Sequence, residues 1–129
     1  VPHRTLKVLV IEPGKPAEVR EIEDSLNSLK AVVGGWIENV FLRAASTYIL
    51  GRPDGTFVTL RTPDKAGLVF IVDEEGGPSI KDLPLNRWFT FAGACGRTNL
   101  HGTIIVARYT RTGDNANLSN ADVAAFRDW

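Results

Sequence analysis

Apolar positions along this chain fall into short runs with two periods, which divide it into strands and helices. Leu6 to Ile11 (LKVLVI) is broken only by Lys7. Leu6, Val8 and Val10 would line one face, with Leu9 and Ile11 on the other, as a strand covered on both sides requires. Glu12-Pro13-Gly14-Lys15-Pro16 ends it, because a proline has no ladder donor. The period then lengthens. Leu26, Leu29 and Val33 recur at spacings of three and four, with Val32 at the stripe's edge. Asp24 or Ser25 can cap this helix, and Gly34-Gly35 can close it in the left-handed conformation.

Strand patterns return at Trp36 to Leu42, Thr47–Leu50 and Thr56–Leu60. The last two are joined by Gly51-Arg52-Pro53-Asp54-Gly55, whose Pro-Asp-Gly order suits a bulged hairpin with Gly55 at positive φ. Thr62-Pro63-Asp64-Lys65 reads as a further turn. Leu68 to Val72 is an apolar strand stopped by Asp73-Glu74-Glu75-Gly76-Gly77-Pro78. Ile80 to Gly96 admits either a short helix or an extended segment. Thr103 to Tyr109 is a strand, and Thr110 to Asn117 a polar loop. At the C-terminus Ser119 caps a helix, with Asp122 three residues on completing a capping box. Leu118 staples against Val123, while Val123, Phe126 and Trp129 turn to the core. The expected fold is α+β, a mixed but largely antiparallel sheet with two main helices in one compact domain over residues 1–129. The first helix either crosses over between parallel neighbours or packs beside an antiparallel pair.

Composition supports a globular chain of this size. Apolar residues make up 43% and charged residues 23%, enough for a core. Lys plus Arg equals Asp plus Glu at 15 each, so net charge selects no partner class. Cys95 is the single cysteine; an internal disulfide is excluded, and a buried, inert thiol in a reducing, cytoplasmic compartment is expected. Apolar runs are too short to span a membrane, and Val1-Pro2-His3-Arg4 lacks the apolar centre of a signal peptide.

Candidate chemistry is sparse. Cys95 and His101 have ligand character, but His3 is the only other histidine and a structural zinc site needs about four Cys or His ligands, so no metal is expected. Asp73-Glu74-Glu75 reads as a solvated turn rather than a calcium loop. No nucleophile elbow, P-loop or dinucleotide fingerprint occurs, and Gly93-Ala94-Cys95-Gly96-Arg97 reads as packing or a turn. No catalytic residue and no cofactor are expected.

One charge pattern stands out. Leu83 to Gly113 contains no Asp or Glu, yet holds Arg87, Arg97, His101, Arg108 and Arg111 among Trp88, Phe89, Phe91 and Tyr109. These five are the candidate contacts for a protein partner or for nucleic acid, through arginine–phosphate contacts and base stacking. Against that, the aromatics also suit a core. Arg108 shares a strand face with Ile104 and Val106, where it extends from the edge or pairs with an acid. Exposed strand edges or aromatics would also allow a homodimer.

Several segments together resemble domain-of-unknown-function family 3846: KVLVIEPGKPAEVREI (Lys7–Ile22), VVGGWIENV (Val32–Val40), VFIVDEEGG (Val69–Gly77) and LPLNR (Leu83–Arg87). TIIVAR (Thr103–Arg108) and LSNADVAAF (Leu118–Phe126) are similar to its closing strand and helix, and the stretch at 43–66 is longer than the family's usual connection. Matching positions include Gly34, Gly35, Asp73, Glu74, Gly76, Pro84 and Asn86. The family comprises small proteins of phages, plasmids and bacteria with no catalytic assignment. The resemblance implies a regulatory or interaction module, of mobile-element origin, with a host or phage protein as partner. Nucleic-acid binding is the alternative, and a small-ligand domain or enzyme the third reading.

Overall fold

The computed structural model describes residues 4–64, 67–77 and 79–129. The sequence readings at residues 1–3, Lys65, Ala66 and Pro78 lie outside them. In chain order the elements are β1 (Thr5–Ile11), β2 (Glu18–Glu23), α1 (Leu26–Val33), β3 (Ile37–Phe41), β4 (Thr47–Gly51), β5 (Phe57–Arg61), β6 (Gly67–Asp73), β7 (Leu85–Phe91), β8 (Thr98–His101), β9 (Ile104–Tyr109), β10 (Asn115–Ala116) and α2 (Asn120–Phe126). The fold is α+β. The strands form two sheets rather than one, ordered β2-β1-β9-β6-β3 with β10 beside β9, and β5-β4-β7-β8. Every strand pairing among the described residues is antiparallel.

The two-sided pattern in β1 is realised. Leu6, Val8 and Val10 join Val69, Ile71, Ile105 and Ala107 under Leu29 and Val33 of α1. Leu9 and Ile11 face the opposite way, with Phe70, Ile104 and Val106, onto the second sheet and α2. Each buried aliphatic side chain contributes about 1.5–3 kcal/mol relative to exposure. Phe70 sits at the centre, with its ring centroid 5.3 Å from that of Phe89, 6.0 Å from Phe126 and 4.9 Å from Trp129.

Both helices use the caps their sequences carry. The Ser25 hydroxyl accepts from the Ser28 N–H, and Gly34 closes α1 at φ 94°. Leu26 falls on the expected stripe yet is half exposed, because Leu29 and Val33, with Val32 beside them, make the helix's contact with the sheet. α1 links β2 to β3, the two edges of the first sheet, and so crosses its whole face. β2 and β3 run parallel but are not neighbours, so α1 is a crossover between parallel strands at opposite edges rather than between adjacent ones. At α2, Ser119 and Asp122 form the reciprocal capping box, and Leu118, Phe126 and Trp129 are buried.

Three strands were missed by the periodic reading: β2, β8 and the two-residue β10. β2 (EVREIE) is an edge strand whose charges satisfy solvent, which removes the alternation that marks a half-buried strand. In β8 only Leu100 is buried. The open question at Ile80 to Gly96 resolves as the extended β7. The longer stretch after residue 43 holds the β4–β5 hairpin, with Gly55 at φ 90°.

Candidate functional site

The five candidate residues do not share one surface. Arg87 is buried: its Nε donates to the Trp129 carbonyl at 3.0 Å, and its terminal nitrogens reach the Lys15 carbonyl at 2.9 Å and Asn86 Oδ1 at 2.8 Å. Burial, and secondarily the charge of Arg52, pulls its pKa down. Arg108 forks onto Asp122, with Nε donating to Oδ2 and a terminal nitrogen to Oδ1 at 2.9 Å. Of its two expected roles, this is pairing with an acid. Burial pushes the Asp122 carboxyl up, but bonds from Arg108 and Ser119 outweigh it and the net shift is downward. Arg87 and Arg108 are therefore spent on internal contacts. Arg111 is exposed in the loop after β9. His101 and Arg97 line different cavities.

His101 opens on a cavity of about 270 Å³ that also presents Glu38, Asp73 and Glu74. Its Nδ1 lies 2.9 Å from the Leu83 carbonyl, which can only accept, so this nitrogen carries the proton. Asp73 is buried rather than solvated. It accepts from the Glu75 N–H at 2.8 Å and from Lys81 Nζ at 2.6 Å, which explains the turn without a cation. Among the described residues no group of three or more His, Cys, Asp or Glu is placed to hold a metal ion.

The larger cavity, about 510 Å³, shares only Thr98 of β8 with the acidic one. Tyr48, Phe89 and Phe91 supply its rings, and Arg43 and Arg97 its charge; among the described residues no Asp or Glu lines it. The Arg43 guanidinium lies 5.5 Å from the Phe91 ring centroid, and that of Arg97 lies 4.7 Å from Trp88. Among the described residues neither guanidinium has a hydrogen-bond or ion-pair partner. A cation–π contact does not consume a guanidinium's N–H donors. The Tyr48 hydroxyl accepts from the Arg43 N–H at 2.8 Å, fixing the backbone from which Arg43 projects.

Local chemistry explains why the groove stays open. Trp88 lies against Gly51 of β4, where a Cβ would fall inside the indole ring, and its Nε1 donates to the Arg52 carbonyl at 2.9 Å. That anchors the platform under Arg97. After β7 the chain turns back through Gly93 and Gly96, at φ 87° and 83°, and Thr90 Oγ1 donates to the Gly96 carbonyl at 2.7 Å. Cys95 sits on this turn and is exposed, contrary to the expected burial, because the turn projects beyond the sheet. It lines the arginine groove while His101 lines the acidic one, so the two share no cavity. Arg43 was missed because it lies far from the acid-free window in sequence and reaches the groove only through the β4–β7 pairing.

Residues 6–51, from β1 to the end of β4, match the family model described as a domain of unknown function (DUF3846). The resemblance to family 3846 is thus shown over that segment. The match covers less than half of the chain, and the similar stretches from Val69 onward lie beyond it. No curated protein and no solved structure matches. β7, the turn at 94–97 and Thr98 of β8, which carry most of the groove, fall outside the matched region. Among the described residues no helix is long and apolar enough to cross a membrane.

Proposed function

We propose that this chain is a non-enzymatic recognition module that docks a partner protein at the Arg43–Arg97 groove. The observation that carries this reading is an apolar cavity whose described lining residues include two arginines and no acid, each arginine lying over an aromatic ring. Arginine and aromatic side chains are the residue types that concentrate interface energy. The family resemblance adds a setting: a bacterial cytoplasm, a gene carried by a mobile element, and a host or phage protein as partner.

Nucleic acid is less well served. Two of the four arginines in the acid-free window are committed internally, and the faces of Trp88 and Phe91 already carry guanidiniums. The test is quantitative affinity capture from bacterial lysate with the wild type and with an Arg43→Glu/Arg97→Glu variant whose folding is verified by circular dichroism. One or more proteins should be enriched by the wild type and lost with the variant. Identical capture by both would sink the reading.

A further inference from the structure

We infer that two copies of this chain associate by pairing the open edge of β5 with itself, antiparallel, so that the second sheet runs on from one copy into the other. This surface stands apart from the arginine groove, to whose lining β5 contributes no residue, so the two readings can fail separately.

The direction in which β5 points its main-chain groups carries the inference. β5 ends its sheet, with β4 on one side and no strand on the other among the described residues. The Arg52 N–H donates to the Thr56 carbonyl at 2.8 Å, and the Thr62 N–H to the Ser46 carbonyl at 2.8 Å. Antiparallel ladders bond alternate residues, so Val58 and Leu60 turn their amides to β4 as Thr56 and Thr62 do. The N–H and C=O groups of Phe57, Thr59 and Arg61 therefore point outward. A second β5 laid alongside, with Thr59 opposite Thr59, sets Phe57 of each copy against Arg61 of the other. All three outward residues then fall in hydrogen-bonded pairs, closing about six main-chain bonds around a two-fold axis.

Side chains complete the match in that register. Phe57, Thr59 and Arg61 share the exposed face, so each Phe57 ring meets a guanidinium across the joint. The two Arg61 side chains lie at opposite ends, about 14 Å apart along the strand. Arg61 is available for this role, since its hydrogen bond among the described residues is a long one, 3.5 Å to Thr47 Oγ1. On the inner face Val58, partly buried against the core, comes opposite Leu60 of the second copy and gains cover. The other sheet ends are guarded. β2 carries Glu18, Arg20, Glu21 and Glu23, β3 turns Glu38 to the side on which Val40 packs, and β8 is short and irregularly registered on β7. β5 has no acid, proline, glycine or register shift.

The test is sedimentation equilibrium of the full-length chain from about 10 µM to about 1 mM. A joint of five residues a side is small, so Kd should be on the order of 100 µM, with most of the chain dimeric at the upper end. Phe57→Lys opposes two cations at both ends of the joint and should weaken association by at least about tenfold. Adding Arg61→Glu to it restores opposite charges and should return the affinity to within about threefold of the wild type. Thr59→Pro removes an outward N–H that β4 does not use, and should abolish association while the circular dichroism spectrum is retained. Phe57 is exposed, so the charge variants decide the matter even where Thr59→Pro does not fold. In a Cys95→Ser background, Thr59→Cys should form a disulfide-linked dimer on mild oxidation, because directly opposed residues of such a pair have Cα atoms about 5.5 Å apart. Phe57→Cys, about 14 Å from its own copy in this register, should not. A chain still monomeric at about 1 mM would overturn the inference. So would association indifferent to Phe57→Lys, a double variant no tighter than Phe57→Lys alone, or equal cross-linking of the two cysteine variants, which is the mark of chance collision.

Discussion

The two sheets are built to different standards of enclosure. The central strands β1, β6 and β9 of the first sheet are buried on both faces, by α1 on one side and by the second sheet with α2 on the other. The second sheet is covered on one face only: Phe57, Thr59 and Arg61 of β5 remain exposed, Phe57 at 56%. Its outer aromatic, Trp88, is sheltered by Arg97 rather than by another layer. The difference teaches a division of labour. A sheet enclosed on both sides supplies cohesion, and a half-open one can present side chains without dismantling the core. The groove lies on the latter, with two of its rings, Tyr48 and Phe89, reaching into the covered face.

The strongest way to break this comparison is to remove a side chain that both sheets share. Phe70→Ala, at the meeting point of Phe89, Phe126 and Trp129, should lower stability by about 3–5 kcal/mol in urea unfolding. Phe57→Ala should cost less than about 1 kcal/mol in the same assay. Similar losses for the two would refute the division.

An intermediate effect is expected where the second sheet depends on close approach. Gly51→Val would drive a side chain into the Trp88 ring, lowering stability by about 1–3 kcal/mol. It would also shift Trp88 fluorescence by displacing the indole and withdrawing the platform beneath Arg97. Trp129 donates to the Gly51 carbonyl, so the fluorescence should be read in a Trp36→Phe background with the Trp129 signal assigned separately.

The capping carboxylate of α2 gives a smaller, pH-dependent contrast. The folded pKa of Asp122 is held below its ordinary 3.8. Its stabilisation is therefore complete above that value and fades as acid carries the pH down through the folded pKa. Asp122→Asn keeps the cap's shape but leaves Arg108 without its charge partner, costing about 1–3 kcal/mol near pH 7. Unfolding measured down to about pH 2.5 should show the wild-type advantage narrowing. A constant gap would mean that the pair contributes nothing electrostatic.

The smallest expected change sharpens the comparison most. Arg97→Ala should alter stability by less than about 0.5 kcal/mol, since the side chain reaches outward from the turn before β8 and stacks on Trp88 without an ion-pair partner among the described residues. A loss of several kcal/mol in urea unfolding would make Arg97 a structural member of the second sheet.

What could be read from the sequence followed local rules. Ser25, Gly34, Gly55, Ser119 and Asp122 each act through neighbours a few residues away, and each appears in its expected role. β1 was legible because both its faces are buried and its alternation is therefore complete in composition. β2 and β8 were not, since edge strands need only one or two buried side chains and polar residues satisfy the rest. The division into two sheets is a long-range choice that no single strand encodes. The groove illustrates the same limit. Arg97 was visible in the acid-free window, but its counterpart Arg43 enters only through strand pairing. Charge count alone could not show that Arg87 and Arg108 turn inward to a carbonyl and a carboxylate.

The position of β1 has a consequence for how the chain is made. Its partner on one side, β2, follows within a few residues, but its other neighbour, β9, begins at Ile104, and the Lys7 carbonyl accepts from the Leu118 N–H at 3.0 Å. β3 likewise waits for β6. High contact order of this kind slows folding and leaves early strands unpaired while the rest of the chain emerges from the ribosome. The segment 6–51 is therefore a recognisable stretch of sequence rather than an autonomous folding unit: it contains one complete hairpin, β1–β2, with α1 packed on it, and two strands, β3 and β4, whose sheet partners have yet to be synthesised.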